Sequence, residues 1–280
     1  MVMDSVDVLM SVYNGEKFIE EQLLSLLNQS HKNIKIIIRD DGSVDSTREI
    51  IFDYMGRFPG VIEYFNENLN MGSSKSFLRL LNFSNADYFM FCDQDDVWCS
   101  DKVEKCLMKM KEMEISCEKD RPILIFTDLK VVDAHLNVLS ESLWKTQKLD
   151  PNIALHWKKL LAQNVVTGCT MMLNKCIKEY IKSEVNFKIH HDQLIAVLAS
   201  RYGAVSWVSS PTMLYRQHHS NVLGALGVNG SYLMRKILRL KNNIQFFIQA
   251  SEYFDKDVNA WELFYLKLVI NIRRLQNMTW

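Results

Sequence analysis

Residues 93–96 read Asp-Gln-Asp-Asp, which puts three carboxylates within four positions at the end of the apolar run Tyr88–Cys92. Like charges at that spacing repel, so the cluster costs stability unless something positive sits with it. A hard divalent cation, Mg²⁺ or Mn²⁺, is the natural partner because such ions take carboxylate oxygens. Set against this is a solvated acidic loop that merely caps the next helix. A second acidic pair, Asp40 and Asp41, ends the apolar run that starts at Ile34. A carboxylate at one such end can accept from a base N–H or a ribose hydroxyl. One at the other can hold a metal that neutralises a diphosphate and stabilises charge on a leaving phosphate oxygen.

The elements that must carry these groups follow from the pattern of apolar residues. Val6–Val12, Ile34–Arg39, residues 61–65 and Tyr88–Cys92 read as buried strands, with helical patterns between them. The order β-α-β-α-β-α-β over the first hundred residues is that of an α/β fold with a mostly parallel sheet and helices on both faces. Both acidic pairs then lie at the C-terminal edge of the sheet, where open α/β folds bind ligands. The turn after the first strand is Tyr13-Asn14-Gly15-Glu16-Lys17. It lacks the glycines of a dinucleotide-binding turn, and no phosphate-binding loop of the G-x-x-x-x-G-K-[ST] type occurs, so phosphates must be held another way. Beyond residue 100 the pattern predicts a helix over 101–113 capped by Ser100, a strand over 122–128 and a hairpin over 131–139. It continues with a helix over 151–162, a strand over 165–173 and a short helix over 174–183. A helix over 194–202 and a strand over 205–215 complete it. Gly168 stands where a ligand or another backbone could approach closely.

Ser11-Val12-Tyr13-Asn14-Gly15, the run Asp40-Asp41-Gly42-Ser43 with Asp45-Ser46-Thr47, and Asp93-Gln94-Asp95-Asp96-Val97-Trp98 together resemble glycosyltransferase family 2. The last motif, and Tyr215-Arg216-Gln217-His218 with Asn221 and Gly224, are most similar to its bacterial rhamnosyltransferase-like members. The resemblance covers residues 6 to about 225. It implies the GT-A fold and an inverting transfer of a sugar, best L-rhamnose from dTDP-L-rhamnose, to a hydroxyl of a cell-surface polysaccharide or lipid-linked oligosaccharide. It further implies that Ser11, Tyr13, Asp41 and Asp95 bind the nucleotide and Asp96 ligates the metal, with Thr167 and Gly168 on the acceptor side. Asp192 matches the catalytic base, although the family's usual Glu-Asp reads His191-Asp192 here. A base at the start of an apolar helix agrees with the chemistry, since the acceptor hydroxyl must lose its proton as an oxocarbenium-like centre is attacked. Arg216 and one of His218 or His219 are expected to meet the sugar or its diphosphate. Adjacent histidines without Cys/His spacing do not make a zinc site. The competing readings are a UDP-hexose or UDP-N-acetylhexosamine transferase, a nucleotidyltransferase, a non-catalytic nucleotide-sugar-binding protein and a helical adaptor.

The 280 residues suit one large α/β domain with an appendage, here 1–230 and 231–280. Zero formal net charge gives no reason to expect a nucleic-acid partner. Six cysteines without C-x-x-C spacing, and no signal-like N-terminus, lead to an expected cytoplasmic setting. No apolar run reaches the roughly 18 residues that span a bilayer. From residue 231 the chain reads as helical, with apolar stripes, several Lys and Arg and a break near 255–257. Peripheral contact with the inner membrane face, or packing on the protein or a second copy, is expected of this segment.

Overall fold

The computed structural model describes residues 4–67, 69–118, 120–182, 188–218 and 240–276. Its first half follows the apolar runs. Strands β1 (Val6–Val12), β2 (Ile34–Asp40), β3 (Ile62–Tyr64) and β4 (Tyr88–Cys92) alternate with helices α1 (Ile19–Leu27), α2 (Thr47–Arg57) and α3 (Ser73–Phe83). Pairing is parallel in the order β3-β2-β1-β4, with Val6 opposite both Ile34 and Tyr88. Alternate side chains of these strands enter opposite layers. Val8, Met10 and Ile36 pack with Leu23 of α1, Ile51 of α2 and Cys106 of α4 (Lys102–Ser116). Leu9, Ile37, Phe89 and Phe91 face Phe77 and Leu80 of α3 and Ile195 of α7 (His191–Tyr202). Both faces are covered, which is why these strands are largely apolar on both sides rather than alternating.

The second half extends the sheet with mixed polarity. Strands β5 (Val97–Trp98), β6 (Ile123–Val132), β7 (Val138–Ser140), β8 (Met172–Asn174) and β9 (Ala204–Arg216) complete the order β3-β2-β1-β4-β8-β6-β9-β5, with β7 beside β6. β8 runs antiparallel to both β4 and β6, whereas β9 runs parallel to β6. The pairing of β6 with β9 slips where Thr127 faces Val208 and Asp128 faces Pro211. A proline is tolerated at such a bulge because no ladder donor is needed there. The far end of β9 pairs with β5, which sets Arg216 beside the acidic turn after β4.

Several expected boundaries move. Residues 165–171 form no strand; a 3₁₀ turn at Gly168–Thr170 interrupts them. The run is apolar and buried, so its period could not distinguish strand from compact loop. Its backbone is satisfied locally: Thr170 N–H donates to Thr167 O, Met171 N–H to Gly168 O, and Asn164 Nδ2 to Val166 O. The expected helix over 151–162 divides at His156 into a 3₁₀ turn (Pro151–Leu155) and α6 (Trp157–Ala162), and residues 175–180 are 3₁₀ rather than α. α4 begins after Asp101, not Ser100, whose carbonyl instead accepts from Ser30 N–H. The short elements β5 and α5 (Leu143–Gln147) were not expected.

Helices α8 (Leu240–Tyr253) and α9 (Ala260–Gln276) lie against α6 and add Phe247, Phe254, Leu263 and Ile270 to the core on the α7 face. Lys267 and Arg274 of α9 both reach Gln163, while Trp261 and Tyr265 stay exposed on its outer side. The expected boundary at 230/231, His219, Asn221, Gly224 and the basic stretch 235–239 lie outside the described residues. Among the described residues no helix is long and apolar enough to cross a membrane.

One glycine fixes how α7 feeds β9. A Cβ at Gly203 would lie 1.9 Å from the Pro122 carbonyl oxygen, which accepts from Ala204 N–H as the β6–β9 pairing begins. Backbone cannot retreat as a side-chain tip can. Gly203→Ala is therefore expected at the upper end of overpacking costs, about 3 kcal/mol. That lowers the thermal midpoint by roughly 5–10 °C, read by circular dichroism.

Candidate active site

The C-terminal edge of β1, β2 and β4 opens into a cleft of about 460 Å³. Its floor is the acidic turn. Gln94 anchors that turn to the loop after β1: Tyr13 N–H donates to Gln94 Oε1 at 2.7 Å, and Gln94 Nε2 donates back to Tyr13 O at 3.0 Å. The approach is so close that a Cβ on Gly15 would sit 2.7 Å from the Gln94 amide. Asp93 and Asp95 line the cleft. Asp96 is fully buried; its Oδ1 accepts from Arg216 N–H at 3.1 Å and its Oδ2 has no partner among the described residues.

Burial, then the charge on Asp95, pushes Asp93 up to about 7, and burial pushes Asp96 well above the ordinary carboxylate range. The counter-charges are set behind the turn. Lys102, fully buried and itself lowered by burial, donates to Cys169 O at 2.6 Å and lies over the Trp98 ring. Asp93, Asp96 and the Cys169 thiol come within 4.8 Å of one another. Burial holds that thiol well above its usual range, so it stays protonated and offers no thiolate. The orphaned Asp96 oxygen beside the Asp93 carboxylate is the donor pattern that fits a hard cation; the neutral sulfur adds nothing to such a site.

The wall on the β2 side is built around a buried guanidinium. Arg39, fully buried next to the end of β2, donates to Asp41 Oδ1 at 2.6 Å and to Ser76 Oγ at 3.0 Å, and also reaches the Leu69 carbonyl. Asp41 further accepts from Met71 N–H at 2.9 Å and Gly72 N–H at 2.8 Å. The carboxylate thus fixes the loop before α3, and Gly72 at φ +78° supplies the left-handed turn that α3 starts from. Ser11 Oγ donates to Ser76 Oγ at 2.6 Å. Ser11, Tyr13, Asp41, Asn70 and Ser73 all face the cleft.

The opposite end holds Thr167, Gly168, His190, His191, Asp192 and Tyr215. Asp192 sits in the first turn of α7, where the helix dipole favours an anion. Its Oδ1 accepts from Gln193 N–H at 2.7 Å and its Oδ2 from Asn164 Nδ2 at 3.2 Å. Burial raises its pKa above the usual carboxylate value, opposed in smaller part by these hydrogen bonds. Gly168 permits the contact: its missing Cβ would be 3.5 Å from Asp192 Cβ and 3.0 Å from His191 Nε2.

The model of the family described as "Glycosyl transferase family 2" matches residues 7–181. The chain belongs to glycosyl transferase family 2. The dTDP-rhamnosyl transferase RfbG of Shigella flexneri is 31% identical over 229 residues, 77% of this chain and 74% of that one. The putative teichuronic acid biosynthesis glycosyltransferase TuaG of Bacillus subtilis is 31% identical over 172 residues, 61% and 62% of the two chains. Solved structures share the fold at lower identity. S. aureus TarS in complex with UDP-GlcNAc superposes with a TM-score of 0.63 at 16% identity, over 98% of this chain and 73% of that one. The mannosyltransferase PcManGT of Pyrobaculum calidifontis, in complex with GDP-Man and Mn²⁺, gives 0.61 at 15%, over 99% and 73%. The architecture is thus the GT-A α/β fold of this glycosyltransferase family.

Two expected contacts are corrected. Arg216 is buried and is not among the described residues that line the cleft. Its guanidinium donates to Asp95 O at 2.8 Å and Ala134 O at 2.7 Å, pairs with Glu21, and lies over the Phe18 ring. His218 stacks on Phe18, with centroids 4.7 Å apart, and bonds Asp95 Oδ2 at 2.8 Å. Both brace the acidic turn from beneath; the polar run after β9 had suggested anion contacts because its cations were read without knowing which side of β5 they reach. Gln94, Asn164 and Phe18 went unread. Gln94 lay inside the acidic motif but carries no charge, Phe18 read only as one apolar residue of the expected first helix, and Asn164 lies between two expected elements. Arg39 also went unread, although a cation inside a buried strand calls for a buried partner.

Proposed function

We propose that the protein is an inverting glycosyltransferase that moves L-rhamnose from dTDP-L-rhamnose to a hydroxyl of a growing cell-surface glycan. The observation that carries this reading is the single cleft joining the Ser11–Asp41 wall, the acidic turn and Asp192. The donor assignment draws support from the 31% identity to the dTDP-rhamnosyl transferase, and the acceptor class from the teichuronic acid relative.

In this reading Ser11, Tyr13 and Asp41 receive the nucleotide, with Asp41 held rigid by Arg39 and the Met71 and Gly72 amides. Asp95 joins them at the nucleotide, and Asp93 and Asp96 would hold Mg²⁺ or Mn²⁺, Asp96 through its unpartnered Oδ2. When bound, the cation neutralises charge on the departing diphosphate. Thr167 and Gly168 border the acceptor. Asp192 takes the proton of the acceptor hydroxyl as that oxygen attacks the anomeric carbon from the face opposite the leaving diphosphate. Arg216 and His218 act by keeping the acidic turn in place.

Thermal shift with dTDP, UDP and GDP, each with Mn²⁺ and with EDTA, tests the site. The expected result is a metal-dependent rise in melting temperature that is largest for dTDP. A UDP preference would move the donor to a hexose or its N-acetyl form, and no response to any nucleotide would overturn the reading.

A further inference from the structure

His191 lies at the reaction end of the cleft, and the proposed chemistry leaves its polar atoms unused. It follows His190 and precedes Asp192 at the start of α7, and it lines the cleft. Its ring stacks on Phe77 of α3 at 4.5 Å and meets Phe91 of β4 edge-on at 5.1 Å. Two aromatic neighbours from different elements hold the imidazole in one plane. Yet both ring nitrogens are buried without a hydrogen-bond partner among the described residues. A buried N–H left unsatisfied is destabilising, and a neutral imidazole carries one donor and one acceptor, both idle here.

The surroundings point to a ligand rather than to packing alone. A phenyl ring would fill the same aromatic slot without the desolvation cost. Gly168 keeps side-chain atoms off the Nε2 edge, since a Cβ there would stand only 3.0 Å from that nitrogen. The two ring orientations that exchange nitrogens for carbons occupy the same planar slot. Phe77 belongs to α3, the helix that also supplies Ser73 to the cleft and Ser76 to Ser11, so His191 stands between the nucleotide wall and Asp192, where the transferred sugar would lie in the reading above. The charge state agrees: burial holds His191 down to about 3, so the ring is neutral throughout the working range and suits a hydroxyl, not a diphosphate.

We propose that His191 is a specificity-determining residue whose ring nitrogens exchange hydrogen bonds with a hydroxyl of the sugar being transferred. The assignment rests on the donor reading above and deepens it.

The test compares dTDP with dTDP-L-rhamnose, by calorimetry in Mn²⁺, for wild type, His191→Phe and His191→Gln. His191→Phe keeps the aromatic slot and removes both nitrogens. It is expected to bind dTDP as wild type does and to lose roughly 3- to 10-fold in affinity for dTDP-L-rhamnose, the worth of one or two neutral hydrogen bonds. His191→Gln, which keeps a donor and an acceptor, should recover part of that loss. On wild type, ¹⁵N NMR of the imidazole should show a single tautomer becoming fixed on adding dTDP-L-rhamnose and not on adding dTDP, a readout that needs no variant to fold. Equal affinity of His191→Phe and wild type for dTDP-L-rhamnose, or ring signals unmoved by the sugar, would overturn the assignment alone. Wild type that binds neither compound would overturn the donor reading and this assignment with it.

Discussion

Replacing Asp192 by asparagine is expected to slow transfer by roughly 10²- to 10⁴-fold, the usual contribution of a positioned general base, while dTDP affinity stays within about twofold. The fold should accept the change. Asparagine can still receive Gln193 N–H through its carbonyl oxygen, and the partner lost is the 3.2 Å contact from Asn164. Asp192 lies at the end of the cleft away from Asp41, so free nucleotide does not report on it. The pH dependence adds a second signature. Burial raises the Asp192 pKa, which makes the carboxylate a stronger base and also keeps it protonated to a higher pH than a surface aspartate. Wild-type transfer should therefore fall on the acid side as pH drops through that raised value, and the residual rate of Asp192→Asn should lack this limb. Single-turnover rates at saturating donor and acceptor across pH 5–9 provide the measurement. A variant that transfers at the wild-type rate would place the base elsewhere.

The legibility of this site in the sequence differed by the kind of force involved. The first four strands were readable because each is a short, mainly apolar run bounded by polar or turn residues, the pattern of strands buried on both faces. Acidic residues at their ends then fell on one edge by geometry alone. The second half was harder because its segments are ordered by partners distant in sequence. Val97–Trp98 is too short to read as a strand until β9 is beside it. Residues 165–171 look like a strand until the Asn164 side chain and the Thr167 carbonyl satisfy their backbone. The same distinction explains Arg216. Its charge and its place in the motif were visible, but whether it meets substrate or braces the turn depends on Glu21, Ala134 and Phe18, none of them near in sequence. Asp41 and Asp192 needed only to be at the edge, and the structure places both in the cleft.

Asp96→Asn should separate stability from function, and in opposite directions. A carboxylate whose pKa is raised on folding binds protons more readily in the native than in the unfolded chain, so stability declines as pH rises above the unfolded value near 4. Asp93, raised to about 7, and Asp96, raised further by burial, both act in this sense. The ligand-free wild type is thus expected to lose stability from pH 4 towards neutrality through this pair. In the variant the side-chain oxygen still accepts Arg216 N–H, while the new amide occupies the place of the orphaned Oδ2 and can donate towards Asp93. Repulsion between two buried carboxylates is thereby removed. At pH 8 ligand-free Asp96→Asn should be more stable than wild type by on the order of 1 kcal/mol, or roughly 2–4 °C, with the gain vanishing near pH 4. Mn²⁺ should raise the melting temperature of wild type with dTDP and leave that of the variant unchanged, because the oxygen that would receive the ion is gone. Transfer should fall by about 10²-fold or more, the scale expected when leaving-group charge is no longer stabilised. Melting curves at pH 4–8 with Mn²⁺ or EDTA decide it. A wild-type melting temperature indifferent to both pH and Mn²⁺, or a variant that keeps its Mn²⁺ response, would mean that the buried carboxylate is there to receive the Arg216 amide and that the cation is held by other groups.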